Sequence, residues 1–405
     1  MWYAGIDWAD QHHDAVVVDE QGKQVSKKRV AHSAAGLAEL IDYLKGVGDV
    51  TDHPEHLACI LETTTGLLIT ALLDAGLPVY PVNPNTLDKW RKPSGAKTDS
   101  IDAFLLARKG RSDLDQLRRL EPDSPLVQEL KQLTRDQDGL IEMQTRLVNQ
   151  LTACLKAYYP VALTLFTKLQ QGVTVAFLQT YPTLDAVQQA SEAELATVLR
   201  TAGHPRAQAK AHTIWQQVHT AQLRADALTT RTKSRLLLAV LQQLAPVIAA
   251  IATYDQEITR LFLSHPDAAL FSGLPGAGQR LAPRLLAEWG DDRTRYQEAG
   301  AVQALAGTSP VAFQSGNFAK AHRRYACNKV LRNAFHQFAW HSTQQEPWAR
   351  AYYQRKRQEG KTHTVALRAL ANQWVRIIFA LWGSHRPYDA AIFLAAQQAH
   401  APHAA

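Results

Sequence analysis

The chain has 405 residues, 46% of them hydrophobic, which is enough for at least two packed domains. Charged residues make up 20% and the net charge is +7, a balance suited to a soluble protein that meets polyanions. The three cysteines, Cys59, Cys154 and Cys327, stand far apart without a CxxC pair, which argues against a disulfide framework or zinc site and fits a reducing cytoplasm.

The opening MWYAGIDWADQ puts two acids where a signal peptide needs an apolar core, so a cytoplasmic protein is expected. Residues 3–9 and 14–20 are short β-rich runs joined by a polar turn at Asp10–His13, and KQVSKKRVA follows the turn at Gly22. Apolar spacing predicts a helix over 37–46 that ends at a glycine. HLACILE (56–62) is a continuous apolar run, as a strand buried on both faces requires. A helix at 66–76 and a strand at 77–83 come next. The order βββ-α-β-α-β-α is that of an RNase H-like mixed sheet flanked by helices.

From about Ser124 to His265 long amphipathic helices are expected. Leu126, Leu130, Leu133, Leu140, Met143, Leu147, Leu151 and Leu155 recur at helical and near-heptad spacing, and the run stops at Pro160. A second long helix is expected across 231–263. Both a helical-bundle core and a coiled-coil arm for dimerisation fit this pattern. The stretch 236–252 is the most apolar of the chain, but two glutamines and a proline break it, so no membrane span is expected. From Ala269 the chain reads as helical with glycine-rich corners. Residues 316–376 carry twelve Lys/Arg against Glu346 and Glu359, a net +10 that leaves the remainder near −3. The expected architecture is thus α/β plus all-α. A catalytic sheet domain spans 1–120, a helical or coiled-coil middle 121–268, a helical C-terminal domain 269–385, and an Ala/His-rich tail 386–405.

Four carboxylates stand out. Asp7 lies in the first strand, where an unpartnered charge is costly to bury. Glu62 ends the strand CILE, at the kind of strand end where such folds display their chemistry. Asp99 and Asp102, three apart in KTDSIDAFLLAR, share one face at a helix start. Alone, Asp99 reads as a helix cap, Glu62 as a loop residue and Asp7 as a strand-end residue. Together they form a group that needs divalent cations. Mg²⁺ prefers oxygen ligands, and two ions roughly 4 Å apart serve phosphoryl transfer. Asp10 and Asp14 are expected to be solvated in the turn after the first strand.

The strings GIDWADQHHDAVVVDE, LETTTG, PVYPVNPNTLDKWR and KTDSIDAFLLA resemble the N-terminal half of the DEDD transposases of the insertion-sequence family numbered one-ten, which is itself similar to the Holliday-junction resolvase RuvC. The resemblance puts that family's four acids, and its Mg²⁺, on Asp7, Glu62, Asp99 and Asp102. In the second half, FSGLPGAGQRLAPRLLAEWGD has the pattern of a helical hairpin whose Gly276 and Gly278 could present amides to a phosphate, with a plain tight turn as the equal alternative. LAGTSPVAFQSGNFAKAHRRYACNKVLRNAFHQFAWH resembles the same family's C-terminal transposase domain, where the serine of an SG pair is the nucleophile. That position is Ser315, with Ser309 second, although a serine before glycine is more often a turn residue.

Lys320, Arg323 and Arg324 could offset phosphate charge there. Arg323, Arg324, Lys329 and Arg332 are expected on a basic helix with Asn328 and Asn333 interleaved, and Arg355, Lys356, Arg357 and Lys361 flank a turn at Gly360. Tyr352 and Tyr353 could stack on bases, but packing is the commoner role. Cys327 is expected to pack. The sixteen histidines show no HExxH spacing. The resemblance implies a DNA recombinase that binds element ends and target and is guided by a noncoding RNA from its own element. The long helical stretch between the two half-sites implies a centre shared between protomers of a dimer or tetramer. A carboxylate-only branched-DNA nuclease and an invertase without guide RNA are the rival readings.

Overall fold

A computed structural model describes residues 1–64, 66–82, 98–315 and 318–392, with the side chains of Ser315, Phe318 and Ala319 outside the described set. The chain divides into two compact units, Met1–Pro122 and Asp123–Ala405.

The first unit holds a five-stranded mixed sheet in the order β3-β2-β1-β4-β5. Its strands are β1 (Trp2–Trp8), β2 (His12–Val18), β3 (Gln24–Ala31), β4 (Leu57–Leu61) and β5 (Val79–Pro81). The first three form an antiparallel meander, while β4 runs parallel to β1 and β5 parallel to β4. Helices α1 (Ala34–Lys45) and α2 (Leu67–Asp74) cover one face. There Ala4, Ile6, Ala15, Val17, Leu57, Cys59 and Leu61 pack with Leu40, Leu44 and Leu72. Helix α3 (Asp99–Asp113) covers the other face, where Val16, Val18, Ala58 and Ile60 meet Ala103, Leu106 and Ala107. The strand period of two sorts each residue to one face.

The second unit is mostly helical. Its frame is the pair α4 (Pro125–Tyr158) and α10 (Ala227–Ser264). The pair is antiparallel, because Cys154 near the end of α4 meets the Lys233 carbonyl, while Gln137 reaches Asp255 at 2.8 Å. Between them come α5 (Ala162–Leu165), α6 (Gly172–Thr180), α7 (Leu184–Gln189), α8 (Glu192–Thr201) and α9 (Ala207–Val218). These small helices close a core over Leu147, Leu151 and Leu155 of α4 and Leu237, Val240, Leu241 and Leu244 of α10. That half of the leucine pattern is therefore bundle core, whereas Met143 stays 41% exposed. Composition does not exclude α10 from a bilayer, contrary to expectation, since it passes by length and hydropathy. Packing accounts for its apolar stripe instead, because the buried residues recur on one helical face against α4.

The opposite ends of α4 and α10 join a second core. It is built with α11 (Ala268–Ser272), α12 (Gly278–Trp289), α13 (Ala299–Leu305), α14 (Lys329–Gln345), α15 (Pro347–Gln358) and α16 (His363–Ser384). Trp289, Trp348, Trp374 and Trp382 are its largest side chains. An antiparallel pair, β6 (Val311–Ser315) and β7 (Phe318–His322), interrupts the helices. This corrects the expected all-helical C-terminal region. VAF and FAKAH alternate in the strand period, and helical reading of the basic residues overrode it.

Candidate functional site

Three facts of strand geometry gather the acids of the first unit. On β1, Tyr3 and Gly5 face α3, so Asp7, two residues on, faces it too. On β4, Ala58 and Ile60 face α3, and the same alternation carried one step beyond the strand turns Glu62 that way. The parallel register pairs Gly5 with Ile60, so the same offset sets Glu62 beside Asp7.

Gly5 lies directly under α3: a Cβ there would come 1.9 Å from the Ala103 carbonyl oxygen and 2.3 Å from the Ala107 nitrogen. Farther along, Gly110 meets Ile60 and Tyr3, so α3 runs antiparallel to β1. Four residues of helix back from Ala103 cover about 6 Å, matching the roughly 6.6 Å from Gly5 to Asp7. The start of α3 therefore lies level with Asp7. Thr98 caps that helix by accepting from the Ile101 N–H, so Asp99 is relieved of the capping role. Asp102 is buried and Asp99 is half-exposed.

Two further residues belong to this place. Asp14 does not lie solvated in a turn, as expected, but is buried in β2 directly opposite Asp7. The strand begins at His12, and Asp14 stands two residues before Val16 on the α3 face. Like charges facing each other across an antiparallel pair are destabilising. Arg29, its register partner on β3, offsets Asp14 through Nε at 3.0 and 3.1 Å and Nη2 at 2.7 Å, and this hydrogen bonding holds the guanidinium above its ordinary pKa. Arg29 also reaches Asp99 at 3.4 Å, and His12 Nε2 lies 3.1 Å from the same Asp99 oxygen. Ligand atoms of His12, Asp14 and Asp99 all fall within 4.8 Å of one another. Reading Asp14 on the Val16–Val18 face would have found it from sequence. His12 and Arg29 gave no separate signal.

A depression of about 350 Å³ opens beside these residues, lined by Asp14, Ala15, Lys27, Lys28, Arg29 and Ser100. Lys27 and Arg29 share the α3 face, while Lys28 turns to Glu39 and Tyr43 of α1. The donor set at the strand ends is mostly carboxylate oxygen, which suits a hard divalent cation. A second trio, His53, Glu55 and His56, also brings ligand atoms within 4.8 Å, but all three are exposed on one short turn.

In the second unit the Ser315 backbone ends β6 and pairs with Phe318, while its hydroxyl lies outside the described residues, as do Gly316 and Asn317. The pair is exposed, with Phe313 55% accessible. Lys320 sits on β7 opposite Phe313, and Arg323 and Arg324 follow the strand, so the expected basic helix begins only at Lys329 and carries Lys329 and Arg332.

Asn328 is not a surface contact but the cap of α14, accepting from Val330 and Leu331 while donating to Glu288 at 2.7 Å. Burial pushes the Glu288 carboxyl up, yet the bidentate hydrogen bonds and charge of Arg135 and the Asn328 bond outweigh it and hold it below the ordinary range. Gly276, at φ +86°, lies against the backbone of His341 and Ser342, where a Cβ would come within 2.6 Å; its place is a packing contact. Gly278 is open and exposed. Arg355 and Lys356 ride over Tyr352 and pair with Glu359, and Arg357 donates to the Lys361 carbonyl. Tyr352 and Tyr353 pack on the core, and Cys327 packs under Gly307.

A family model for the DEDD transposase of IS110, described as "Transposase", matches residues 4–160. Another, described as "Transposase IS116/IS110/IS902 family", matches residues 268–354. The chain is 33% identical over 386 residues to the "Mini-circle putative transposase for IS117" of Streptomyces coelicolor, covering 92% of each chain. It is 26% identical to the "Insertion element IS110 uncharacterized 43.6 kDa protein" of the same organism, covering 94% of this chain and 93% of that one. A stretch of 149 residues is 28% identical to the "Pilin gene-inverting protein" of Moraxella bovis, covering 35% of this chain and 45% of that protein.

Proposed function

The chain belongs to the IS116/IS110/IS902 transposase family and is a DNA transposase or recombinase, and from that membership we propose that it breaks and rejoins DNA through a covalent phosphoserine link made by Ser315. The sheet unit acts as an RNase H-like, RuvC-like domain. Asp7, Glu62, Asp99 and Asp102 hold divalent cations, two Mg²⁺ ions, with His12, Asp14 and Arg29 as positioning residues. Asp14 anchors Arg29, and Arg29 and His12 hold Asp99. When bound, the cations supply Lewis-acid polarisation of the scissile phosphate. Lys27 approaches the strand backbone from the neighbouring depression.

The Ser315 oxygen forms a bond to phosphorus as the bond from phosphorus to one bridging strand oxygen breaks. The serine proton is lost to solvent and the departing oxygen gains one. One phosphodiester is thus exchanged for another, and attack by a second strand's hydroxyl reverses the link. Acids and serine lie in different units, and the centre forms between protomers of a dimer or of a dimer pair on DNA. An element-encoded noncoding RNA selects donor and target.

The observation that carries the reading is the convergence of acids from β1, β4 and α3 at one end of one sheet face. The test is a covalent-adduct assay in cells holding the gene with its flanking DNA. Wild type gives a protein–DNA adduct, Ser309→Ala keeps it, and Ser315→Ala and Asp7→Ala abolish it. Cleavage that survives Ser315→Ala would leave a carboxylate-only nuclease. The Moraxella similarity favours one second reading, an invertase acting at a single locus. Sequencing of RNA that copurifies with the protein separates the two, since an invertase without a guide enriches no element transcript.

A further inference from the structure

Several arginines of the second unit have carboxylate partners. Arg135 pairs with Glu288, Arg280 with Asp255, Arg284 with Asp138, Arg293 with Asp267 and Arg295 with Asp123. One half-buried group has no carboxylate partner among the described residues. Arg332 and His336 stand four apart on α14, hence on one face, and α16, which carries Arg368, packs against that helix. Arg323, in the segment after β7, acts on both His336 and Arg368 through its charge. All four are half-buried, and Nε of Arg323 and Arg368 and Nε2 of His336 are buried without a hydrogen-bond partner among the described residues. Arg323 and Arg332 press the Arg368 guanidinium below its ordinary value in addition to burial, with only Tyr325 opposing. Burial first, then Arg368, Arg332, Arg323 and His363, push His336 down to about 4. Among the described residues, no carboxylate acts on either residue. Like charges held together in a half-buried place, with donors unmet, form a preorganised anion site.

We propose that Arg323, Arg332, His336 and Arg368 form a pocket that clamps one backbone phosphate of the DNA. The proposal rests on the reading that this unit binds DNA. The pocket lies at the root of the β6–β7 pair, not at its end. Thr308, in the turn leading to β6, donates to Asn372 at 2.9 Å, one helical turn beyond Arg368. A Cβ on Gly307 would come 3.5 Å from Arg332. Val311 pairs with His322, so Arg323 begins where the pair ends, and Ser315 lies four strand residues, about 13 Å, farther out. The clamped phosphate is therefore a different one from that which Ser315 attacks. The pocket fixes the register of the strand on the protein, and the chemistry occurs elsewhere. Arg368 falls beyond the matched residues 268–354, and the fold alone adds it to the group.

The test uses the full chain and two probes, inorganic phosphate and a nonspecific DNA duplex, with Arg368→Met keeping the aliphatic packing. In phosphate-free buffer Arg368→Met raises Tm by about 2 °C, because it relieves repulsion. Inorganic phosphate raises the wild-type Tm above chloride of equal ionic strength and does not raise that of Arg368→Met. The slope of log K against log salt for the duplex falls by about 0.9, one phosphate, in Arg368→Met. Adding Arg332→Met lowers it no further. NMR of His336 shows its titration moving up when phosphate binds. A Tm that drops in Arg368→Met, together with an unchanged phosphate shift and salt slope, would overturn the pocket. If wild type binds no duplex, the DNA-binding reading of the unit fails, and the phosphate shift still decides the pocket.

Discussion

Glu288 is fully buried at its side chain and survives as a charge only because Arg135 and Asn328 grip both its oxygens. It ties α4, α12 and the cap of α14 together, beneath the segment that carries β6 and β7. Removing one partner of a buried pair leaves the other charge uncompensated, which costs about 3–5 kcal/mol. Arg135→Met should lose that much in urea unfolding at pH 7. The sign with pH follows from the depressed carboxyl. In wild type the stabilisation is present above the unfolded value near 4.5 and is lost as pH falls through the lower folded value. In Arg135→Met burial still pushes the carboxyl up and the strongest opposing partner is gone. Its deficit against wild type should therefore shrink below pH 4.5. A deficit of equal size at both pH values would show that packing, not charge, holds the three elements together.

Among elements, the contact of β1 with α3 decides whether the acids meet. Gly5 permits backbone to approach backbone there, and a methyl at that position would sit 1.9 Å from the Ala103 oxygen. Gly5→Ala must push α3 outward and carry Asp99 and Asp102 away from Asp7 and Glu62. A displacement of about 1 Å in a reacting constellation can cost roughly 100-fold. Gly5→Ala is therefore expected to lower adduct formation by about that factor. Duplex binding, which the proposed phosphate clamp assigns to the second unit, should stay at the wild-type level. Loss of both together would mean that the variant fails to fold and that the helix contact is not the cause.

For the whole molecule, the proposed centre draws on both compact units, and the positive charge is concentrated in the second. The net +10 of residues 316–376 all lies beyond Pro122. Complementation tests how the units combine. Mixing Asp7→Ala with Ser315→Ala chains gives hybrid dimers in which one of the two shared centres is intact. With random exchange about half the dimers are hybrids, so adduct should return to about a quarter of the wild-type level. No recovery would mean that each chain builds its centre alone.

The sequence by itself determined the strand and helix order of the first 110 residues, the two long helices, and the family. Those signals are local: apolar runs of strand length, helical periodicity, and short strings such as GIDWADQ and KTDSIDA. The places of Asp7, Glu62, Asp99 and Asp102 in the chain's elements were legible for the same reason, since each stands in or beside the first turn or the last residues of its element. Tertiary structure decided what depends on register and on approach between distant segments. Asp14 faces Asp7 because β2 starts at His12, a shift of two residues from the expected strand. Arg29 meets Asp99 across seventy residues. Arg323, Arg332, His336 and Arg368 come together only when α16 packs on α14, and the expected basic helix begins only at Lys329, with Lys320 on β7 before it. Charge tells that a segment seeks a polyanion, but only packing determines which charges are paired off and which remain for a ligand.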